Sequence, residues 1–140
     1  MTQVFNAGSE NTVGAQEGGP IDLTVINMVM VDCRSEVEPQ YNKWYDEVHI
    51  PMCLRYDGML RATRYRLTRG PSGHARYLTV YEFKDQHAMD EFPNSPECKA
   101  SIQEMRQTWQ DNDFQIKLAA QYENIGIFEE PLPPPGGKDE

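Results

Sequence analysis

The residues best suited to chemistry lie between Tyr41 and Pro51, where three aromatic residues, two acids and a histidine follow one another closely. At helical spacing Tyr41, Tyr45 and His49 form one stripe. A neutral imidazole can take a proton near physiological pH and an imidazolium can return one, which suits enolisation, elimination of water or lactone rearrangement. We therefore predict His49 as a general acid or base. Because Pro51 cannot continue the helical hydrogen bonds, His49 is expected in the last turn of its helix.

Other readings of His49 remain open at this stage. Asp46 or Glu47 could fix its tautomer, as general bases often need an orienting group. Alternatively, His49 could merely end the helix, where a cation is favourable against the helix dipole. Cys53 follows four residues later, so a Cys/His nucleophile is conceivable if the helix persists beyond Pro51.

Tyrosine and arginine side chains could stabilise negative charge on a substrate oxygen. Tyrosine hydroxyls can donate hydrogen bonds to a developing enolate, and a guanidinium suits a carboxylate or phenolate. We predict Tyr45 and Arg64 as partners of His49, since Arg64 shares its strand face with Leu60 and Ala62. Core or dimer-interface packing for the tyrosines and surface salt bridges for the arginine are the alternatives. The residues predicted to contact the substrate are Tyr41, Trp44, Tyr65 and Tyr81.

The elements that must position these residues follow from hydrophobic periodicity and turn signals. A helix is predicted to begin at 36–39, and Asp85 and Ser95 are predicted to begin two more. The resulting order, βαββαβ, predicts an α+β fold, a ferredoxin-like antiparallel sheet with helices on one face. The stretches with strand composition are 23–31, 59–67, 76–83 and one or two segments within 114–128.

The third strand carries three aromatic residues, Tyr77, Tyr81 and Phe83, on one of its faces. If that face is the open one, it would expose a large aromatic patch, which usually marks an interface or a ligand cavity. Face-to-face pairing of two sheets would cover it.

Length and composition predict one domain over 21–129 with an arm on each side. Residues 1–20 are rich in Gly, Asn, Gln, Ser and Glu and are expected to form a flexible arm. Residues 130–140 are rich in Pro and Gly and favour an extended tail.

Charge and cysteine usage exclude several classes of protein. The net charge of −9 argues against nucleic-acid binding, which needs basic patches. No apolar run is long enough to span a membrane, and no secretory signal is recognised. Three cysteines without a Cys-x-x-Cys pair fit a reducing compartment, so we predict a cytoplasmic protein. No ligand set for a metal, phosphate loop or dinucleotide fingerprint is found, so no cofactor is predicted.

Three phrases carry a family resemblance. They are Asn-x-Trp-Tyr-x-x-x-His-Ile-Pro at 42–51, Gly-x-Leu-Arg-Ala-x-Arg-Tyr at 58–65 and Arg-Tyr-Leu-x-Val-Tyr-Glu at 76–82. Over about residues 22–128 the chain resembles the dimeric α+β barrel superfamily, in particular its EthD-like branch. The resemblance implies a homodimer whose two sheets form a barrel, with a ligand cavity in each protomer. In EthD-like enzymes the histidine of the His-x-Pro element is the usual acid/base candidate, and here it corresponds to His49.

The resemblance also bears on activity, because the superfamily includes cofactor-free isomerases, dehydratases, cyclases and decarboxylases of small aromatic, lactone or polyketide-like compounds. The function expected from sequence is therefore a cofactor-free lyase or isomerase of secondary metabolism or aromatic catabolism, in which His49 moves the proton. A cofactor-independent monooxygenase and a non-catalytic binding protein are the alternatives.

Overall fold

The computed structural model describes residues 23–131 and 133–135, which contain one four-stranded antiparallel sheet. The first strand pairs with the third and the fourth, and the third also pairs with the second. The predicted order of elements and the ferredoxin-like α+β fold are confirmed. As predicted, the first strand is a mostly apolar run rich in β-branched residues, and the second alternates between two faces that each mix apolar residues with arginine. The strands are β1 (Val25–Cys33), β2 (Met59–Arg66), β3 (Tyr77–Phe83) and β4 (Phe114–Glu123).

The two helices predicted to begin at Asp85 and Ser95 have the predicted caps, whereas the helix predicted to begin at 36–39 begins at Glu38 without a side-chain cap. The Asp85 side chain accepts from the Ala88 amide, and the Ser95 hydroxyl accepts from the Cys98 amide. Each bond satisfies one of the amides that a helix start leaves without an internal partner. The α-helices are α1 (Glu38–Trp44), α2 (Ile50–Leu54), α3 (Gln86–Glu91) and α4 (Pro96–Thr108), with short 3-10 turns at Ser35–Val37 and Phe92–Asn94.

The helix that carries His49 does not stop at Pro51, so that expectation is wrong. A π-helical stretch, Tyr45–His49, joins α1 to α2 without interruption, and the Ile50 amide donates to the Tyr45 carbonyl five residues back. Pro51 lies in the first turn of α2, where the wider hydrogen-bond pattern of the preceding turn tolerates a missing donor. His49 therefore lies in the middle of a long helical segment.

The aromatic face of β3 packs against the helices and is not the open face of the sheet. Tyr77, Tyr81 and Phe83 are each buried, with exposed fractions of 5%, 6% and 1%. The predicted exposed patch is therefore wrong, because the helices cover the aromatic side of the strand.

The opposite side of the sheet is also apolar. Residues opposite one another in the strand register share a face, and Met30 pairs with both Leu78 and Leu118. Val80 and Tyr122 belong to the same face, and Leu118 and Tyr122 remain about half exposed, at 49% and 53%. We call the side of the sheet that carries these five residues the open face.

The predicted domain boundaries fall partly outside the described residues. The arm over 1–20 lies wholly outside them, as do residues 132 and 136–140 of the predicted tail. After β4, residues 125–131 and 133–135 are exposed and form no helix or strand. In the part of the chain that the structure describes, no helix has the length and apolar character needed to cross a bilayer.

Candidate functional site

The helical segment from α1 to α2 delivers its aromatic side chains into the space above the sheet. Tyr41 is fully buried, and Trp44 and Tyr45 are 7% and 5% exposed. Together with Tyr77 and part-buried Trp109 they form one continuous cluster, which we call the aromatic cluster. Such packing fixes the rotamers of the side chains around His49.

His49 lies at the border of this cluster. Its ring stacks on Trp44 with a centroid distance of 5.0 Å and meets the edge of Tyr45 at 5.0 Å. Burial lowers the pKa of His49 to about 4, and the negative charge of Glu104 opposes that shift only in part. The imidazole is therefore neutral at pH 7, the form that can accept a proton.

The two nitrogens of His49 have different surroundings. Nδ1 is buried and has no hydrogen-bond partner, while Nε2 lies 3.9 Å from the Cys53 sulfur. Burial raises the pKa of the Cys53 thiol to about 11. Because the thiol keeps its proton and the imidazole stays neutral, the pair lacks the thiolate that a Cys/His nucleophile requires.

Neither of the acids expected to orient His49 makes a hydrogen bond to its ring. Asp46 bonds Arg64 through Oδ1 and Nη1 at 2.9 Å, and Glu47 is exposed. The acid that influences His49 is Glu104 of α4, whose Oε1 accepts from Trp44 Nε1 at 2.8 Å. No local pattern points to this residue, because it is 60 positions from Trp44.

A pair of tyrosine hydroxyls links the helix to the sheet. Tyr45 Oη and Tyr81 Oη lie 2.6 Å apart in a buried position. Desolvation raises the pKa of both hydroxyls, so both remain protonated and each can donate one hydrogen bond.

Arg64 projects from the edge strand β2 into the aromatic cluster. Its guanidinium carbon is 4.4 Å from the ring centre of Tyr45 and 5.2 Å from that of Tyr77. Nη1 donates to Asp46 and Nη2 donates to Asn42 Oδ1, both at 2.9 Å. A cation held over aromatic faces is favoured by their quadrupoles, so Arg64 is a fixed positive charge beside Tyr45.

A polar network connects this arginine to the surface. Asn42 Nδ2 donates to Tyr77 Oη at 2.9 Å, and Tyr77 in turn donates to Glu38. Arg76 bonds Glu38 Oε1 and Asp32 Oδ1, each at 2.7 Å. These partners are more than 30 positions apart in sequence, so sequence reasoning did not find the network.

The predicted site residues therefore do not all come together. Tyr41, Trp44 and Tyr45 belong to the aromatic cluster, and His49, Arg64 and Tyr81 each contact it. Tyr65 is 53% exposed and pairs with Leu78 on the open face. It lies on the opposite side of the sheet from Arg64, as strand alternation requires.

Several buried polar atoms around the aromatic cluster lack hydrogen-bond partners. Such atoms are uncommon in folded proteins and mark strain or a place for a bound molecule. Within the described ranges they are Tyr41 Oη, His49 Nδ1, Arg64 Nε and Trp109 Nε1, together with Gln121 Oε1 on β4.

Two further features of the described residues concern other kinds of site. Over residues 23–131 and 133–135, no group of three or more His, Cys, Asp or Glu side chains could hold a metal ion. A polar cavity is lined by Arg34 and residues 110–113. It shares no residue with the aromatic cluster, and the Arg34–Asp113 salt bridge of 2.8 Å already pairs its main charges.

The described residues define the fold class of the protein, a ferredoxin-like α+β fold. Within it, the chain belongs to the family described as "Domain of unknown function (DUF4286)", which matches residues 24–121. A search of curated proteins finds no match to the chain.

Three solved structures illustrate the likeness of fold. HapK from Hahella chejuensis is 12% identical, with a TM-score of 0.60 over 76% of this chain and 98% of that chain. An EthD-family protein from Bacillus halodurans is 14% identical, with a TM-score of 0.52 over 75% and 99%. A dimeric ferredoxin-like protein of unknown function from Thermobifida fusca is 8% identical, with a TM-score of 0.53 over 78% and 98%. At these identities the likeness concerns the fold alone.

Proposed function

We propose that this protein binds a small aromatic or cyclic oxygenated metabolite at the aromatic cluster and acts on it as a cofactor-free lyase or isomerase. One observation carries the proposal. His49 is a neutral imidazole with an unpaired, buried Nδ1, and it contacts one side of Tyr45 while the Arg64 guanidinium lies over the ring of the same tyrosine. A base and a positive charge thus flank one aromatic side chain.

The chemistry follows from these roles. His49 Nδ1 takes a proton from carbon next to a carbonyl, and the electrons move onto the carbonyl oxygen. The Arg64 charge stabilises the enolate that forms, as preorganised charges do for oxyanions. Return of the proton to another carbon completes an isomerisation, and its transfer to a departing β-hydroxyl, which leaves as water, completes a dehydration. A decarboxylation reaches the same enolate without the first proton transfer: the C–C bond to the carboxylate breaks, its electrons move onto the carbonyl oxygen, carbon dioxide leaves, and the carbon then takes a proton.

The base role requires one tautomer of His49. Nδ1 has a free electron pair only when the proton is on Nε2, and in that case Nε2–H points to the Cys53 sulfur at 3.9 Å. Long-range nitrogen–proton NMR spectra of the histidine side chain distinguish the two tautomers. Finding the proton on Nδ1 in the free protein and in a substrate complex would contradict a base at that nitrogen.

Activity is tested with a mass-spectrometric screen of aromatic acids, lactones and polyketide-like enols. The expected product differs from its substrate by nothing, by water or by carbon dioxide. His49→Gln should abolish turnover, while His87→Gln, an exposed histidine on α3, should leave it unchanged. Equal turnover by the His49→Gln variant would make His49 structural.

A non-catalytic binding protein is the second candidate. It is favoured by the pKa of about 4 at His49, since so weak a base accepts a proton reluctantly at pH 7. Ligand binding without turnover, unchanged in His49→Gln, would favour this candidate.

We also propose that the protein is a homodimer that pairs its open faces. Apolar Leu118 and Tyr122 are half exposed there, and an apolar sheet face needs a cover. Light scattering should give twice the chain mass of 16.1 kDa, and Leu118→Asp should give the monomer. A wild-type monomer would contradict this.

Free Cys33, Cys53 and Cys98 support the cytoplasmic location proposed from sequence.

A further inference from the structure

We propose that the ligand is a small aromatic carboxylate, and that its carboxylate replaces Asp46 on the guanidinium of Arg64. This inference names the substrate class for the function proposed above and rests on that function for the identity of the site. It is carried by the hydrogen-bonding capacity and charge of the side chains around the aromatic cluster.

The unpaired atoms of the cluster are mostly hydrogen-bond donors. An arginine has five N–H groups, and Nε of Arg64 is buried without a partner. Trp109 Nε1 can only donate, and Tyr41 Oη can donate; both are buried without partners. Tyr41 is fully buried. These three donor groups lack acceptors to bind, and an ionised carboxylate offers acceptor atoms only.

Asp46 shows how a carboxylate engages this arginine. Its Oδ1 meets Arg64 Nη1 at 2.9 Å, but the Asp46 side chain is 61% exposed while that of Arg64 is 16% exposed. An ion pair with one partner in solvent contributes little to stability, about 0–1 kcal/mol. Asp46 can therefore turn outward, and an incoming carboxylate leaves the charge next to Arg64 unchanged.

The surroundings of Arg64 favour an aromatic ligand. The guanidinium already lies over the rings of Tyr41, Tyr45 and Tyr77, at 5.9, 4.4 and 5.2 Å from their centres. Aromatic rings pack well against one another in offset or edge-to-face arrangements. The net charge of −9 opposes unspecific binding of anions, so affinity for a carboxylate must come from a local positive site.

The test is calorimetric titration of the full-length protein with benzoate, salicylate and phenylacetate, each compared with its neutral amide. At least one carboxylate should bind, and its amide should bind at least about tenfold more weakly, because the charge-assisted bond to Arg64 is lost. Arg64→Met should lose the preference for the carboxylate. Circular dichroism must show that this variant folds, and Arg64→Lys should keep a weaker preference.

The decisive variant is Asp46→Asn. Removing the internal carboxylate should tighten benzoate binding several-fold, on the order of fivefold. The matched control is Asp57→Asn, since Asp57 is 99% exposed and pairs with Lys84 at 3.5 Å. It removes the same charge elsewhere and should leave affinity unchanged. If Asp46 had only a structural role, the Asp46→Asn variant would bind benzoate as tightly as the wild type or more weakly.

Three results would overturn the inference. They are equal binding of the carboxylate and its amide, unchanged or weaker binding by Asp46→Asn, and no binding of any of the three carboxylates at about 10 mM. Its failure is separable from that of the proposed function. Carboxylate binding without turnover by any compound refutes the enzyme and leaves the inference standing. Turnover of a neutral lactone that depends on His49, without binding of any carboxylate, would refute the inference and leave the proposed enzyme standing.

Discussion

Protonation of His49 should destabilise the folded protein in mildly acidic solution. The ordinary histidine pKa of 6.5 applies to the unfolded chain, whereas burial lowers the pKa of His49 to about 4 in the folded one. Between these values the unfolded chain binds more protons, so the free energy of unfolding rises with pH there. The stability that neutral His49 contributes is present above pH 6.5 and is lost as the pH falls towards 4.

The size of this loss of unfolding free energy follows from the pKa shift of His49. Each pKa unit corresponds to about 1.4 kcal/mol, so a fall from 6.5 to about 4 corresponds to roughly 3 kcal/mol. Most of this, on the order of 2–3 kcal/mol, is already lost at about pH 4.5. Over the described residues, the other shifted pKa values belong to groups that change charge outside this window. The pKa of Asp113 is lowered by Arg34 from an ordinary value of 3.8, so its contribution is lost at lower pH.

Urea unfolding at several pH values between 7.5 and 4.5 measures this loss. The free energy of unfolding of the wild type should fall by roughly 2–3 kcal/mol across the range. In His49→Gln the fall should be nearly absent, because no imidazole is left to charge. His87→Gln, at an exposed position, should behave as the wild type. A flat wild-type profile, or an equal fall in His49→Gln, would refute the assignment of a buried neutral imidazole.

Three further changes test the packing that holds the site. Tyr45→Phe leaves the buried Tyr81 hydroxyl without its partner at 2.6 Å and should cost about 1–3 kcal/mol in urea unfolding; a neutral result would mean that water replaces the bond. Gly58→Ala would place a methyl group 2.5 Å from the Ala88 side chain and should lower the melting temperature, at a cost of about 1–3 kcal/mol; an unchanged melting temperature would show that α3 yields. Ser95→Ala removes the cap of α4 and should cost about 1 kcal/mol, with Ser95→Asp close to wild type; equal losses in both would disprove the cap.

The elements of the fold were predictable because their signals are local. Asp85 and Ser95 cap helices where their position before an apolar stripe indicated. The order βαββαβ then left the ferredoxin-like sheet as the natural arrangement. Which side of β3 the helices would cover was not predictable, because both sides carry apolar residues and alternation alone does not say which faces the core.

The end of the long helix was mispredicted for a physical reason. The rule that proline stops a helix assumes an α-helical ladder, and Pro51 follows a π-helical turn that has a different bonding pattern. The π turn leaves no clear mark in composition. As a result, the spacing of His49 and Cys53 became meaningful only in the structure.

The candidate site was predictable only for side chains on the central helix and their nearest strand partners. His49, Tyr45 and Arg64 were found because their residue types suit proton transfer and charge stabilisation. Glu104 and Asn42 were not, since their roles arise from contacts with Trp44 and Arg64 that only the folded chain creates. Tyr65 was chosen by residue type although its parity relative to Arg64 already placed it across the sheet.

The π turn at Tyr45–His49 holds one more residue per turn than its neighbours, so it is equivalent to a single-residue insertion in an ordinary helix. Removing one residue there would restore the common geometry at no local cost. The helix after it would keep nearly the same orientation, because the wide turn already absorbs the extra residue, but the side chains within the turn would point in different directions relative to Tyr45. Gaps in alignments of related chains at this point would therefore mark a change in what the site can hold, even where every named side chain is retained.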